Sequence, residues 1–427
     1  MVVGIIIGAS IFAQPSAVTA QVHSAPAALL VWVVAGLLTL IGSLIVAELS
    51  SAFPHTGGVY VFLSETFSPA VGFLWGWAMF WTMHSGIIAV IAMVFARYVG
   101  TFVPLGDAGL RIIAIGGIAA LSVVNFLGVR HGSIVQVALT AIKVLALALI
   151  IVIAATLGPA ATSATHPVAA AAQAAPGVRA FVLALIAGLF AFGGWHMVSY
   201  AAEETVNPSV TIPRALVIGT LTVTALYVGV NAAYLSVLPF DRIASSTRVA
   251  ADFADVAFRG SGAQIMAALV VLSTLGAMNG VILAGPRVYL AMAGDGLVFR
   301  WFGDVHPRYR TPHHAIAAQA VWSSVLVLTG TYRALFTRVV YTEWIFFGLL
   351  ALAVLVQRRN AAYHPAFRIW SPLLPALFII SSAFIVLDQV IHEPLDSMLG
   401  LGLVIAGLPV YYFWSRPRPT SLRRAAT

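Results

Sequence analysis

Only one lysine occurs in the 427 residues, Lys143, and it stands about a dozen residues from either end of an apolar run. That place is too deep for its ammonium to snorkel to an interface. A cation held there must donate to carbonyls or hydroxyls or give up its proton, so it is either a proton-binding group or a fixed structural charge. Glu343, in Thr342-Glu343-Trp344, is a second charge in mid-run, and a buried carboxylate there needs a donor. Arg338 lies five residues earlier, off the spacing that aligns side chains on a helix, so a partner on another helix and a structural role are expected. His196 directly follows Gly193-Gly194-Trp195 and is expected to face a pocket, where an imidazole adjusts ligand choice or pH response. His84, in Met83-His84-Ser85, reads as a hydrogen-bonded core residue. Glu48, Glu203, Glu204 and Arg287 fall near the ends of apolar runs, where solvation or local pairing is expected of each rather than a gate-closing pair. Neither histidine has metal-ligand spacing with another His or acid, and there is no cysteine. No metal site, cofactor, disulfide or thiol nucleophile is therefore expected.

The elements that must position these groups are helices in lipid. Apolar residues make up 61% of the chain and charged residues 8%, with a mean hydropathy of +0.99. This composition excludes a soluble globule, a disordered chain, a coiled coil and a disulfide-stapled domain. The net charge of +8 forms no basic stripe interleaved with aromatics, so a nucleic-acid partner is not expected. Breaks at Pro, Gly and charge clusters predict an all-α polytopic membrane protein of about twelve spans. These run over 1–20, 26–52, 69–98, 109–128, 132–157, 179–203, 213–237, 263–292, 313–330, 333–356, 371–388 and 396–414. The first begins at Met1 without a signal peptide. Arg130, Arg214, Arg300, Arg308, Arg310, Arg358, Arg359, Arg368 and the tail from Arg416 to Arg424 share one side. Arg97, Arg111, Arg179, Arg242, Arg248, Arg259 and Arg333 share the other, diluted by Asp107, Asp241, Asp252 and Asp255. Positive-inside bias then puts both termini in the cytoplasm and the chain in the cell membrane. Residues 160–175 read as an external loop, 252–258 as a short helix on the outer face, and 57–67 as one on the inner face.

Two spans are interrupted at their centres: Gly4, Gly8, Ala9 and Ser10 in the first, Gly193 and Gly194 in the sixth. A separation of five spans fits a five-plus-five inverted repeat whose opening helices unwind near the midplane. The repeats would cover 1–157 and 179–356, followed by two spans over 371–414 and a basic tail over 415–427. Unwinding frees backbone groups that lipid cannot satisfy. Half-helix N-termini attract a carboxylate and freed carbonyls accept from an ammonium, so a zwitterionic amino acid suits the site. The alternative is that these glycines only permit close packing.

The residues around the breaks carry a resemblance. Gly8-Ala9-Ser10-Ile11-Phe12, Phe53 to Phe67 (FPHTGGVYVFLSETF), Phe190 to Ala215 (FAFGGWHMVSYAAEETVNPSVTIPRA) and Leu275 to Gly296 (LGAMNGVILAGPRVYLAMAGDG) are similar to the amino acid, polyamine and organocation superfamily. Within it they resemble the L-type amino acid transporter branch, over about Gly4 to Trp414. The resemblance implies that N–H groups around Ala9, Ser10 and Ile11 hold a substrate carboxylate. It implies that carbonyls of Ile6, Phe190 and Gly193 hold the amino group, and that Phe190 caps the site as a gate. It also implies that Lys143, touching helix one and the hydroxyls of Ser273 and Thr274, replaces a sodium ion, either by cycling a proton or as a fixed cation.

The chain departs from the pattern at three places. Ser10 stands where relatives usually have Gly and is expected to narrow the carboxylate site. His196 stands where relatives often have Asn. Only seven residues precede Gly8, fewer than the dozen or so that an inner half-helix and tail need, so an incomplete inner gate is expected. Mammalian relatives join a single-span partner through a cysteine, which this chain lacks. The expectation is a transporter and not an enzyme, exchanging neutral amino acids by alternating access. Proton-coupled symport is the alternative, and a channel is the alternative from another class. A cationic substrate is disfavoured because no acid lies beside Gly8 or Gly193 in the chain.

Overall fold

The computed structural model describes residues 1–157, 177–258 and 262–415, and among the described residues it is all-helical. Ten helices there are long and apolar enough to cross a membrane. Two expected spans fall outside that number. The first is divided into α1 (Val2–Ile6) and α2 (Ser10–Val22), each too short alone, and the ninth, His313–Thr329, has 17 residues. The external loop expected over 160–175 and the basic tail lie outside the described residues. The short helix expected over 57–67 is α4 (Val59–Thr66), and where one short helix was expected over 252–258 there are two, Phe240–Ser245 and Val249–Ala257. Pro239 caps the start of the first, and the extended Ser246 separates the pair, a signal the sequence reading passed over.

Both interruptions are present. The first helix stops at Ile7, whose N–H makes the last helical bond to Val3, and resumes at Ser10. The sixth span runs as α9 (Val178–Ala191), breaks over 192–194, and continues as a 3-10 segment, Trp195–Glu204. Gly194 adopts φ +90°, a left-handed conformation taken at little cost only without a Cβ. The half-helices pack in matched pairs, α2 against α9 and α1 against the 3-10 segment.

Around them stand α3 (Ala25–Ala52), α8 (Val129–Leu157), α10 (Pro208–Val237) and α13 (Gly262–Gly294). Small residues let α1 come close: a Cβ on Gly4 would overlap Thr140 of α8, and one on Gly280 of α13 would overlap Ile5. The scaffold is further tied by amides, with Asn125 donating to Asn279 at 2.8 Å and Asn279 to Gln136 at 2.8 Å. Interhelical bonds of this kind hold helices together where lipid supplies no hydrophobic drive.

At the end of the bundle that holds Met1, ion pairs join separate segments, which corrects the expectation of solvation or local pairing. Arg287 of α13, itself 1% exposed, meets Glu204 at the end of the 3-10 segment through two bonds of 2.8 and 3.1 Å. Arg358 meets Glu48 of α3 through bonds of 2.6 and 2.8 Å, and Glu48 also accepts the Ile369 N–H at 2.7 Å. A buried carboxylate and guanidinium need such partners because neither is solvated there. Nearby, Thr56 donates to Glu203 and the Gly57 N–H to the Tyr200 carbonyl, so the loop before α4 is bound to the 3-10 segment. Tyr60 donates to Asp295 at 2.5 Å, and burial, then that carboxylate, hold its phenol above the usual range.

Candidate functional site

The carbonyls freed at the first break are met by side chains from three other helices. Lys143 of α8 is buried and donates to Gly4 O at 2.9 Å and Ile7 O at 2.6 Å. Its stem lies over Gly276, where an added Cβ would come within 2.8 Å of Lys143 Cε, so the glycine makes the slot the lysine occupies. Ser273 donates to Gly8 O at 3.3 Å. Thr274 does not join the set: its hydroxyl turns back to the carbonyls of Val270 and Val271 on its own helix. Tyr227 of α10 donates to Ile6 O at 3.0 Å and lies 3.2 Å from Ala191 O, joining the two breaks through one hydroxyl. Sequence reading missed Tyr227, although a tyrosine at the centre of an apolar span already demands a partner for its O–H.

The donors at the same break are in the opposite condition. Among the described residues no acceptor lies within hydrogen-bond reach of the N–H groups of Ala9, Ser10 and Ile11. They form the N-terminus of α2, where the helix dipole is positive. Gly8, Ala9 and Ser10 border a cavity of about 300 Å³ that Ile6, Phe190 and Gly193 also line. The Ile11 side chain is fully buried away from it, so only its main chain is placed to contribute. Gly193 O meets no donor among the described residues, whereas Phe190 O accepts the Gly193 N–H at 3.3 Å. Phe190 is 39% exposed and Phe192, two residues on, is packed against Trp32 and Tyr227. The cavity extends to Tyr98 and Gln389, in the last turns of their helices at the end of the bundle remote from Met1.

Two side chains differ from expectation. His196 does not face the cavity: it is fully buried behind the wall, its ring edge-on to Trp75, Trp195, Tyr200 and Phe347. The 3-10 winding after Gly194 changes the rotation per residue and turns it inward. Conversely Glu343 of α15 (Tyr332–Gln357) does line the cavity, 3.8 Å from His196 Nε2, which corrects the expectation that no acid stands near the breaks. Its partner is on another helix as expected, while Arg338 pairs with Asp396 at 2.8 Å. His84 is buried, 3.3 Å from the Tyr289 hydroxyl, in keeping with a core role.

A profile of the family described as Amino acid permease matches residues 1–395. The chain belongs to the amino acid permease family. It is 32% identical to the serine/threonine exchanger SteT of Bacillus subtilis, over 96% of this chain and 94% of that protein. It is 32% identical to the mouse Asc-type amino acid transporter 1, over 99% of this chain and 81% of that protein. It is 31% identical to the human large neutral amino acids transporter small subunit 2, over 96% and 78% respectively. An all-helical fold with ten long apolar helices among the described residues is consistent with a membrane transporter of this family.

One consequence for the permease follows from Gly194. Its left-handed φ costs any other residue about 1–2 kcal/mol, and a new Cβ would stand 2.5 Å from Ile5 Cγ2 of α1. Gly194→Ala is expected to lower the thermal unfolding midpoint in detergent and to weaken transport. A midpoint equal to that of the unaltered permease would contradict the strain assigned to this turn.

Proposed function

We propose that this permease exchanges one neutral, zwitterionic amino acid for another across the cell membrane by alternating access. The observation that carries the reading is the pair of interrupted helices bordering one cavity, with undonated N–H groups at Ala9, Ser10 and Ile11 and an unmatched carbonyl at Gly193. A carboxylate at the N–H groups and an ammonium at the carbonyl would satisfy both. Ile6 O and Phe190 O already accept one bond each, and a carbonyl oxygen has a second lone pair to offer. Phe190 would cap the bound molecule. Lys143, donating to two carbonyls at once, acts as a held cation that fixes the unwound segment in place of a bound metal ion.

The reading includes twelve crossings, two inverted repeats over 1–157 and 179–356, and both termini in the cytoplasm. The arginines on the Met1 side support that orientation. On that basis the structure is outward-facing, with the cytoplasmic end shut by Arg287 and Glu204. No cysteine is present in the 427 residues, so a partner subunit would be held without a disulfide.

Counterflow into proteoliposomes tests the exchange. Uptake of labelled amino acid is expected only when the vesicles hold unlabelled amino acid, and uptake driven by a pH gradient into empty vesicles would overturn exchange in favour of symport. Unsaturable conductance would point to a channel. The inner closure has its own test, aided by the lack of cysteine. Arg287→Gln is expected to raise labelling of a cysteine placed at the buried Ser199 by about tenfold from the cytoplasmic side, because it removes the pair that holds the 3-10 segment to α13. Unchanged labelling would show that the pair does not close that side.

A further inference from the structure

Main-chain groups at the two breaks would recognise what all amino acids share, and this leaves open what the cavity requires of the side chain. Its wall is mostly aliphatic and aromatic, with one acid in it, Glu343. The Glu343 side chain is 16% exposed, toward the cavity, and no described residue donates a hydrogen bond to its carboxylate. Behind it, His196 is 0% exposed, both ring nitrogens lack hydrogen-bond partners among the described residues, and Nε2 stands 3.8 Å from Glu343 Oε1. A carboxylate within the membrane without a donor is costly, and costly groups in such places persist where a ligand completes them.

We propose that Glu343 is the side-chain subsite of this cavity, taking neutral amino acids whose side chain ends in a hydroxyl or other hydrogen-bond donor, with His196 as the positioning residue that steadies the carboxylate. The inference rests on the zwitterion reading of the two breaks. At 3.8 Å the imidazole makes no hydrogen bond to the carboxyl group, whose oxygens stay open to the cavity. A carboxyl group that holds its own proton there carries no net charge, accepts through its carbonyl oxygen and exerts no field that would favour a cationic side chain. A substrate lacking the donor would leave the acceptor desolvated and unmatched, which is how sites built around one polar group reject an isosteric apolar analogue.

Threonine and valine have nearly the same shape and differ in the hydroxyl, so their ratio reads the subsite directly. In counterflow into alanine-loaded proteoliposomes, the permease is expected to favour threonine over valine in kcat/KM by about 10-fold to 100-fold, the range for leaving a buried polar group without its partner. Glu343→Leu is expected to bring that ratio to about one by lowering threonine uptake, and Glu343→Gln, which keeps an acceptor oxygen, to give an intermediate ratio. His196→Asn is expected to raise KM for threonine and leave that for valine in place, a split that a general packing defect would not produce. A threonine-to-valine ratio near one in the unaltered permease, or one unmoved in both Glu343 variants, overturns the subsite while leaving exchange intact. Ornithine preferred over threonine overturns the assignment to neutral side chains. Absence of any amino acid exchange overturns the transport reading itself.

Discussion

Counterflow by the Lys143→Ala permease is expected to fall by about 100-fold, the largest functional loss from any single substitution at the breaks. Its ammonium donates to Gly4 O and Ile7 O, on either side of the last turn of α1. Each bond from a charged donor to a buried carbonyl is worth about 1.5–3 kcal/mol. Losing both leaves two desolvated acceptors and an empty slot over Gly276, and about 1.4 kcal/mol corresponds to each tenfold change. Among the described residues Ser273 at Gly8 O is then the one side-chain donor left to Ile7 and Gly8, and the N–H groups that follow lose their common direction. Lys143→Arg is not expected to rescue, because the planar guanidinium is broader than the slot and replaces a point donor by a fork. Gly276→Ala is expected to mimic the loss in part, since its Cβ would come within 2.9 Å of Nζ. Exchange at the original rate in Lys143→Ala would remove the held cation from the mechanism.

The largest loss of stability is expected at the other end of the bundle. Arg358→Ala leaves Glu48, which is 0% exposed, without its two charged donors, the Ile369 N–H remaining. Removing one partner of a buried pair costs about 3–5 kcal/mol because the remaining charge has no solvent to return to. Arg358 also donates to Ile369 O at 2.8 Å, so the same change releases the loop that leads to α16 (Leu373–His392) from α3. Thermal unfolding in detergent should show a midpoint well below that of the unaltered permease. The double variant Glu48→Leu with Arg358→Leu should recover most of the loss, since an apolar pair of similar volume avoids both desolvation costs. An unshifted midpoint in Arg358→Ala would mean that water reaches Glu48 and that the closure is not a dry one.

The positions of the spans and of the two interruptions were legible in the residues because both depend on local chemistry. Gly8 and Gly194 weaken helices wherever they stand, and runs such as Ala25–Ala52 are apolar enough to announce themselves. Lys143 was legible for the same reason, as a single charge with no nearby relief. The side chains that meet the breaks were harder to see. Thr274 sits beside Ser273 and is equally polar, yet one helical step of about 100° separates them, enough to send one hydroxyl to Gly8 and the other back to its own helix. His196 was expected at the cavity and Glu343 was not, and the structure exchanges their positions: the acid lines the space and the imidazole backs it.

By itself, then, the sequence determined a lipid-embedded helical transporter fold, the places where two helices must come apart, and the one cation buried near them. Tertiary structure alone decided that Tyr227 joins the two breaks, that Glu343 stands against His196, and that Arg287 and Arg358 find acids 83 and 310 residues away. The physical reason is that a helix in lipid is apolar on nearly every side. Its pattern does not say which face turns inward, and the rotation of each helix about its axis is set by close packing at glycines such as Gly4, Gly276 and Gly280 and by polar groups finding one another.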